Sequence, residues 1–236
     1  MKQEGNYINN KKDGTWKYYY ENSSIVAEEK TYINNKLDGL WKWYYKNGKI
    51  RKEGLYSVGK ANGIQKEYYS NGIIKSEKHF NSGIKDGISK YYYESGRLQS
   101  ILFFKNNEII EEGKYYYENG KIKMESSGGR NGTTKYYYNN GQLSFEYYYK
   151  NGKLEGPYKE YYQNGELKGE YTYKDDKLSG MWKEYYENTQ LKTEGKYGYF
   201  GKEGVWKEYY ENGELKAEYI YKDNKLKKEI FYDKNN

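Results

Sequence analysis

Aromatic and charged positions recur along this chain with a period close to 24 residues. Tyr-Tyr pairs begin at Tyr19, Tyr44, Tyr68, Tyr92, Tyr116, Tyr137, Tyr161, Tyr185 and Tyr209, spaced 25, 24, 24, 24, 21, 24, 24 and 24. A fixed period in this range marks a stacked array of one supersecondary element rather than a conventional globular domain. Each repeat opens on a glycine: Gly14, Gly39, Gly63, Gly87, Gly132, Gly156, Gly180 and Gly204, with Glu111 standing in once. Counting that residue as position 0, position 3 is lysine throughout, from Lys17 and Lys42 to Lys207. Positions 5 and 6 are the tyrosine pair, positions 8 and 9 are mostly Asn-Gly, position 11 is Ile or Leu, and position 14 is Glu except at Ile101.

Asn-Gly between two aromatic, β-prone runs predicts a hairpin with a two-residue loop in which both turn residues take positive φ. In that register paired positions sum to 17. Position 3 then faces position 14, so Lys42 opposes Glu53. Position 6 faces position 11, setting Tyr45 on Ile50, and position 0 faces position 17, setting Tyr56 over Gly39. A register slipped by one residue would destroy the lysine–glutamate pairing. The links between repeats, such as Lys174-Asp175-Asp176-Lys177, are turn sequences as well.

The predicted fold is all-β: an elongated, twisted antiparallel β-meander of about nine tandem hairpin repeats, forming one repeat domain over residues 1–236. Residues 1–13 read as the trailing half of a repeat, 14–218 as the nine hairpins and 219–236 as a C-terminal cap. Some eighteen strands at ~4.8 Å spacing would make a ribbon roughly 85 Å long. Lys227, Lys228 and Lys234 would discourage further strand pairing at the C-terminal edge. By alternation, positions 0, 2, 6, 11 and 17 are expected on a buried face, and positions 3, 5, 12 and 14 on the other.

Composition makes this architecture plausible with little aliphatic core. Charged residues are 32% of the chain, which by itself would suggest disorder, but 36 tyrosines and five tryptophans oppose that. Each such ring buries on the order of 150–250 Å². The net charge of +7 comes from 41 basic and 34 acidic residues interleaved throughout, so there is no polybasic patch for nucleic acid or an anionic membrane. There is no cysteine, and no apolar run long enough to span a bilayer as a helix; a soluble, cytoplasmic protein is expected.

Catalytic chemistry finds little support. His79 is the only histidine, and it stands between Lys78 and Phe80 without a clustered partner. No Cys, His and Asp set has metal-ligand spacing, so neither a metal nor a cofactor is expected. The stretch Ser126-Ser127-Gly128-Gly129-Arg130-Asn131-Gly132 has no helix after it to hold a phosphate and reads as a shortened hairpin. The glutamates at position 14 repeat in register with lysines, as a structural ladder does and an acid–base pair does not.

The consensus Gly-x-Trp-Lys-x-Tyr-Tyr-x-Asn-Gly-x-Leu-x-x-Glu is clearest over Gly39 to Glu53, Gly180 to Glu194 and Gly204 to Glu218. It resembles the MORN repeat in its bacterial variant. The resemblance implies a β-hairpin meander without enzymatic activity. It further implies kinship with YwqK-type antitoxin or immunity components, whose presumed role is to bind and neutralise a partner toxin. Scaffold proteins with links to membranes, and cell-wall carbohydrate binders built on similar hairpins, are the alternatives.

A protein partner is therefore expected, with no nucleic acid and no small-molecule substrate. Tyrosine contributes large contact area at low entropic cost. The candidate partner-binding residues are accordingly the position-5 tyrosines Tyr44, Tyr68, Tyr92, Tyr116, Tyr137 and Tyr161, together with Ile101 and Phe103. The last two lie in the run Ile101-Leu102-Phe103-Phe104, which is expected to expose apolar surface where Lys90 loses its glutamate.

Overall fold

A computed structural model describes residues 2–233, without the side chains at 111 and 112. Among these residues there is no helix; every regular element is a strand. Contacts divide the chain into two compact units, one running to Gly120 and the other starting at Lys121. Lys234, expected to guard the C-terminal edge, lies outside the described residues.

The N-terminal unit contains β1 (Gln3–Ile8), β2 (Lys11–Tyr19), β3 (Val26–Ile33), β4 (Lys36–Tyr44), β5 (Ile50–Ser57), β6 (Lys60–Tyr68), β7 (Ile74–Asn81), β8 (Ile84–Tyr92), β9 (Leu98–Lys105) and β10 (Glu108–Tyr116). Each pairs antiparallel with the next in sequence. The C-terminal unit repeats the plan with β11 (Ile122–Ser126), β12 (Gly132–Tyr137), β13 (Leu143–Lys150), β14 (Lys153–Leu154), β15 (Gly156–Tyr161), β16 (Leu167–Lys174), β17 (Lys177–Tyr185), β18 (Leu191–Gly198), β19 (Gly201–Tyr209), β20 (Leu215–Lys222) and β21 (Lys225–Phe231). Here β14 and β15 are one strand interrupted at Glu155, and both pair with β13. The glycine-rich stretch is the turn of a shortened hairpin: Asn131 N–H donates to Gly128 O, and Ser127 N–H to Thr133 O.

The hairpin tips differ from the expected two-residue loop. In the second repeat Gly48 N–H donates to Tyr45 O at 2.9 Å, and Tyr45 N–H to Lys49 O at 2.8 Å. Gly48 has φ 79°, whereas Asn47 is not among the residues with positive φ. This is a type I turn closed by a left-handed glycine, a loop of three residues. Asn47 instead accepts the Lys49 amide on its side-chain oxygen at 3.1 Å. The longer loop shifts pairing near the tip by one, so Tyr44 rather than Tyr45 faces Ile50. One residue further along, Arg51 is left unpaired as a bulge and the expected register returns: Trp43 faces Lys52, Lys42 faces Glu53, and Gly39 faces Tyr56. The first repeat has one more loop residue, so Lys17 faces Glu29 rather than Glu28.

This geometry also corrects the two faces. Positions 0, 2 and 17 lie on the buried face as expected, but positions 4, 13 and 15 complete it, while 6 and 11 sit at the hairpin tip. Trp16 and Trp206 (position 2) are each 3% exposed, and Ala217 (position 13) is fully buried. Neighbouring strands alternate large and small residues here. The Trp206 indole lies on Gly195, where a Cβ would come within 2.2 Å of the ring. Where both partners are aromatic the rings stack, as Tyr171 on Trp182 at 3.9 Å between centroids. Face packing of this kind replaces the interior of a two-layer domain.

Candidate functional site

The opposite face of each unit, called outer here, is built as three parallel rows. The middle row is the lysine–glutamate ladder. Inside each unit the ladder glutamates face a lysine on both sides, one in their own repeat and one in the next; Glu29 takes the rung in the first repeat, and the last rung, Glu218, faces Lys207 and Ile230. In the N-terminal unit the order runs Lys17, Glu29, Lys42, Glu53, Lys66, Glu77 and Lys90. In the C-terminal unit it runs from Glu125 and Lys135 to Lys207 and Glu218. Individual contacts are loose: Lys66 to Glu77 is 3.7 Å and Lys135 to Glu146 is 3.6 Å, with lysine side chains 37% and 40% exposed. Pairs this exposed stabilise little one by one. Their order fixes the register and cancels charge along the face.

The second row is the position-5 tyrosines. Their hydroxyls reach back fifteen residues, or twelve across the shortened repeat, and donate to the glutamate of the preceding repeat: Tyr44 to Glu29 at 2.7 Å, Tyr68 to Glu53 at 2.6 Å, Tyr92 to Glu77 at 2.8 Å, Tyr137 to Glu125 at 2.6 Å and Tyr161 to Glu146 at 3.3 Å. Burial first, and the accepting carboxylate second, push Tyr92 and Tyr137 up to about 12. Tyr44 and Tyr68 are raised further by the same causes. Tyr116 follows Ile101, which offers no acceptor. The six candidate tyrosines thus lie half-buried on outer faces, and all but Tyr116 are tied to a glutamate: Tyr44, Tyr68, Tyr92 and Tyr116 in the N-terminal unit, Tyr137 and Tyr161 in the C-terminal one. Tyrosines at position 6 bind the repeats together instead. Tyr45 donates to Tyr68 O, Tyr69 to Tyr92 O and Tyr93 to Tyr116 O, each at 2.7 Å.

The apolar run behaves differently from expectation. Leu102 and Phe104 are 9% and 7% exposed, because strand alternation turns them into the aromatic face. Ile101 and Phe103 lie on the outer face and are half-buried. Nor is Lys90 isolated, since Glu77 faces it from β7 while Ile101 faces it from β9. The third row went unnoticed in the sequence. It is formed by positions 1 and 16, and in the N-terminal unit it includes Leu40, Leu55, Ile64 and Ile88, which are 43%, 52%, 55% and 49% exposed. Its signal was available in the aliphatic residue that follows several of the opening glycines.

Among the described residues of these faces there is no catalytic arrangement. His79 is exposed, and its Nδ1 lies 2.6 Å from Asp86 O, as expected for an Nδ1–H donor to a backbone carbonyl. Among the described residues no group of three or more His, Cys, Asp or Glu could hold a metal ion. No helix among the described residues is long and apolar enough to cross a membrane.

The 24-residue hairpin with its glycine opening, lysine–glutamate rung and tyrosine pair matches the family model for the MORN repeat variant over residues 12–34, 37–57, 61–82, 85–106, 112–127, 130–151, 154–175 and 202–223. The chain belongs to the MORN repeat family. Most matched segments begin on the first strand of a repeat and end at or just before the turn after the second, so each MORN repeat is one hairpin plus its link. The stretch they skip, between 176 and 201, holds β17 and β18, paired in the same register as the other MORN hairpins. No curated protein matches the chain. An all-β MORN scaffold fits a repeat protein that binds proteins or membranes rather than one that turns over substrate.

Proposed function

We propose that this is a non-enzymatic protein-binding repeat protein that acts in the bacterial cytoplasm as the antitoxin or immunity partner of a toxin. The observation that carries the binding role is the tyrosine row. Phenol rings recur every repeat along the strands, and all of the candidates but Tyr116 are tied through the hydroxyl to a glutamate of the preceding repeat. Rings already ordered lose little side-chain entropy on docking, so their contact area converts efficiently into affinity. The alternating charges beside them offer either sign to a partner while giving no stretch of uniform potential for nucleic acid or anionic lipid.

Co-expression with proteins encoded beside it tests both levels of the proposal. The chain should protect against a toxic neighbour and purify with it. Tyr137→Ala combined with Tyr161→Ala should weaken that complex by roughly 10-fold or more, in the range seen for aromatic anchors. Association without protection would remove the antitoxin role and keep the binding role. Association unchanged by the substitutions would remove the tyrosine face from the account. Retention on cell-wall material or flotation with liposomes, with no protein partner, would replace it with one of the two alternatives.

A further inference from the structure

We propose that the outer face of the N-terminal unit docks a second copy of the same chain, face to face, about a two-fold axis running parallel to the strands between β6 and β7. The aliphatic row there is an unpartnered stripe. Across β4 to β9 it reads Leu40, Leu55, Ile64, His79, Ile88 and Phe103, one residue per strand. The two residues at each end of this stripe meet in cross-strand pairs, Leu40 with Leu55 and Ile88 with Phe103. Beside it on the same strands runs the ladder Lys42, Glu53, Lys66, Glu77, Lys90 and Ile101.

The choice of occupant follows from the symmetry of this charge pattern. A two-fold axis parallel to the strands lays each row of one copy on the same row of the other, in reversed strand order. An axis lying on a strand would put lysine on lysine. An axis lying between strands puts lysine on glutamate at every rung that carries both. Self-complementarity of this sort is what an isologous interface requires, and a partner of uniform charge could not match it.

The stripe selects which gap the axis occupies. Its centre falls between β6 and β7. There Lys66 of one copy meets Glu77 of the other, and Glu53 meets Lys90. In the same arrangement Leu40 lies on Phe103, Leu55 on Ile88 and Ile64 on His79. Lys42 falls on Ile101, the rung from which glutamate is missing. One axis therefore satisfies both the charged row and the apolar row.

The surface also has a place for the central side chain to enter. A cavity of about 370 Å³ opens beside the axis, lined by Ile64, Glu77, His79, Gly87, Ile88 and Lys90. Gly87, with φ 107° and no side chain, lets the His79 ring pack against the backbone at the edge of this cavity; a Cβ there would lie 3.2 Å from the ring Nδ1. The partner's copy of Ile64, 55% exposed on the free surface, projects toward this cavity. Six strands at ~4.8 Å give a width of about 29 Å, and three rows of side chains about 20 Å, so roughly 1,200 Å² is buried in total. That is the lower end of specific interfaces and matches a reversible dimer. Tyr137 and Tyr161 belong to the other unit and are no part of this face, so self-association and partner binding are tested by separate substitutions.

Sedimentation velocity and light scattering of the full chain, alone and over a range of concentrations, test this. The expected mass is twice the 28.3 kDa of one chain at high concentration, falling on dilution. Ile64→Asp and Ile88→Asp, both on exposed positions, should each weaken self-association by roughly 10-fold or more, because they bury an unpartnered carboxylate in the apolar row. Val205→Asp, at the equivalent repeat position in the C-terminal unit and 48% exposed, should leave it unchanged. Circular dichroism melts confirm that all three variants fold. A chain that is monomeric throughout overturns the proposal. So does a dimer that Ile64→Asp and Ile88→Asp leave intact, or that Val205→Asp breaks. Loss of binding to a different protein in Ile64→Asp, with the unmodified chain monomeric, would assign the face to that protein instead.

Discussion

Removing one carboxylate from the ladder measures how much of the fold depends on the tyrosine–glutamate link. In Glu53→Ala the Tyr68 hydroxyl loses its acceptor at 2.6 Å, in a half-buried position between β4 and β6. A hydrogen bond to a charged group contributes about 1.5–3 kcal/mol net. Lys42 and Lys66 also lose their common neighbour. Cross-strand pairs contribute ~0.2–1 kcal/mol each, and solvent exposure places these at the low end. The expected cost is therefore about 2–3 kcal/mol. Glu53→Gln keeps an acceptor oxygen and loses only the charge, so it should cost about 1 kcal/mol. Tyr68→Phe deletes the other half of the bond, and a double-mutant cycle with Glu53→Ala should return a coupling near 1–2 kcal/mol. Urea denaturation followed by near-ultraviolet circular dichroism reads all of these, with the slope checked for separate unfolding of the two units. A cost below ~0.5 kcal/mol for Glu53→Ala, or additivity in the cycle, would show that the link is incidental and that ring packing alone holds the repeats.

Four further outcomes follow from the same geometry. Ile101→Glu supplies the missing rung between Lys90 and Lys114 and an acceptor for Tyr116; denaturation should show a gain of about 1 kcal/mol after the loss of half-buried aliphatic surface. Trp206→Ala empties the best-buried aromatic site of the C-terminal unit and should cost about 3–5 kcal/mol in its unfolding transition. Gly195→Ala drives a methyl group into the Trp206 ring and should cost about 1–3 kcal/mol in the same assay. Alkaline titration should show a cooperative loss of structure. The buried phenols are raised above their unfolded value of 10, Tyr92, Tyr137 and Tyr209 to about 12, so their contribution is intact below pH 10 and is lost as pH rises through their folded values. Tyrosinate absorbance would follow that loss.

The period, the hairpins and the lysine–glutamate register were legible in the sequence because charge alternates strand by strand and tolerates no slip. The hairpin tips were not. Asn-Gly suits a two-residue loop with both residues left-handed, and equally a three-residue loop in which only the glycine is. Asn47 and Gly48 carry nothing that separates the two. The bulge at Arg51, which undoes the resulting shift, has no marker either. Assignment of the buried face failed at the tip for that reason, and because tyrosine fills positions 4, 5 and 6 in repeats such as Tyr91-Tyr92-Tyr93. Identical residues give no hydrophobic contrast, so only the strand geometry tells the packed ring from the hydrogen-bonded one. The fifteen-residue interval from Glu53 to Tyr68 recurs in nearly every repeat and could have suggested the link between rows. The exposed aliphatic stripe is carried by one residue per strand and varies from repeat to repeat, so it stands out less than the aromatics, although Leu40, Ile64, Ile88, Met181 and Val205 each follow an opening glycine.

Cross-strand nuclear Overhauser effects in the intact protein bear most directly on the repeat geometry from which every surface described above derives. Backbone contacts are expected from Glu53 to both Lys42 and Lys66, from Tyr44 to Ile50, and from Tyr45 to Lys49, with a slowly exchanging Tyr68 hydroxyl proton. Contacts joining Tyr45 to Ile50, or none linking Glu53 to Lys66, would contradict the register and dissolve the ordered rows together.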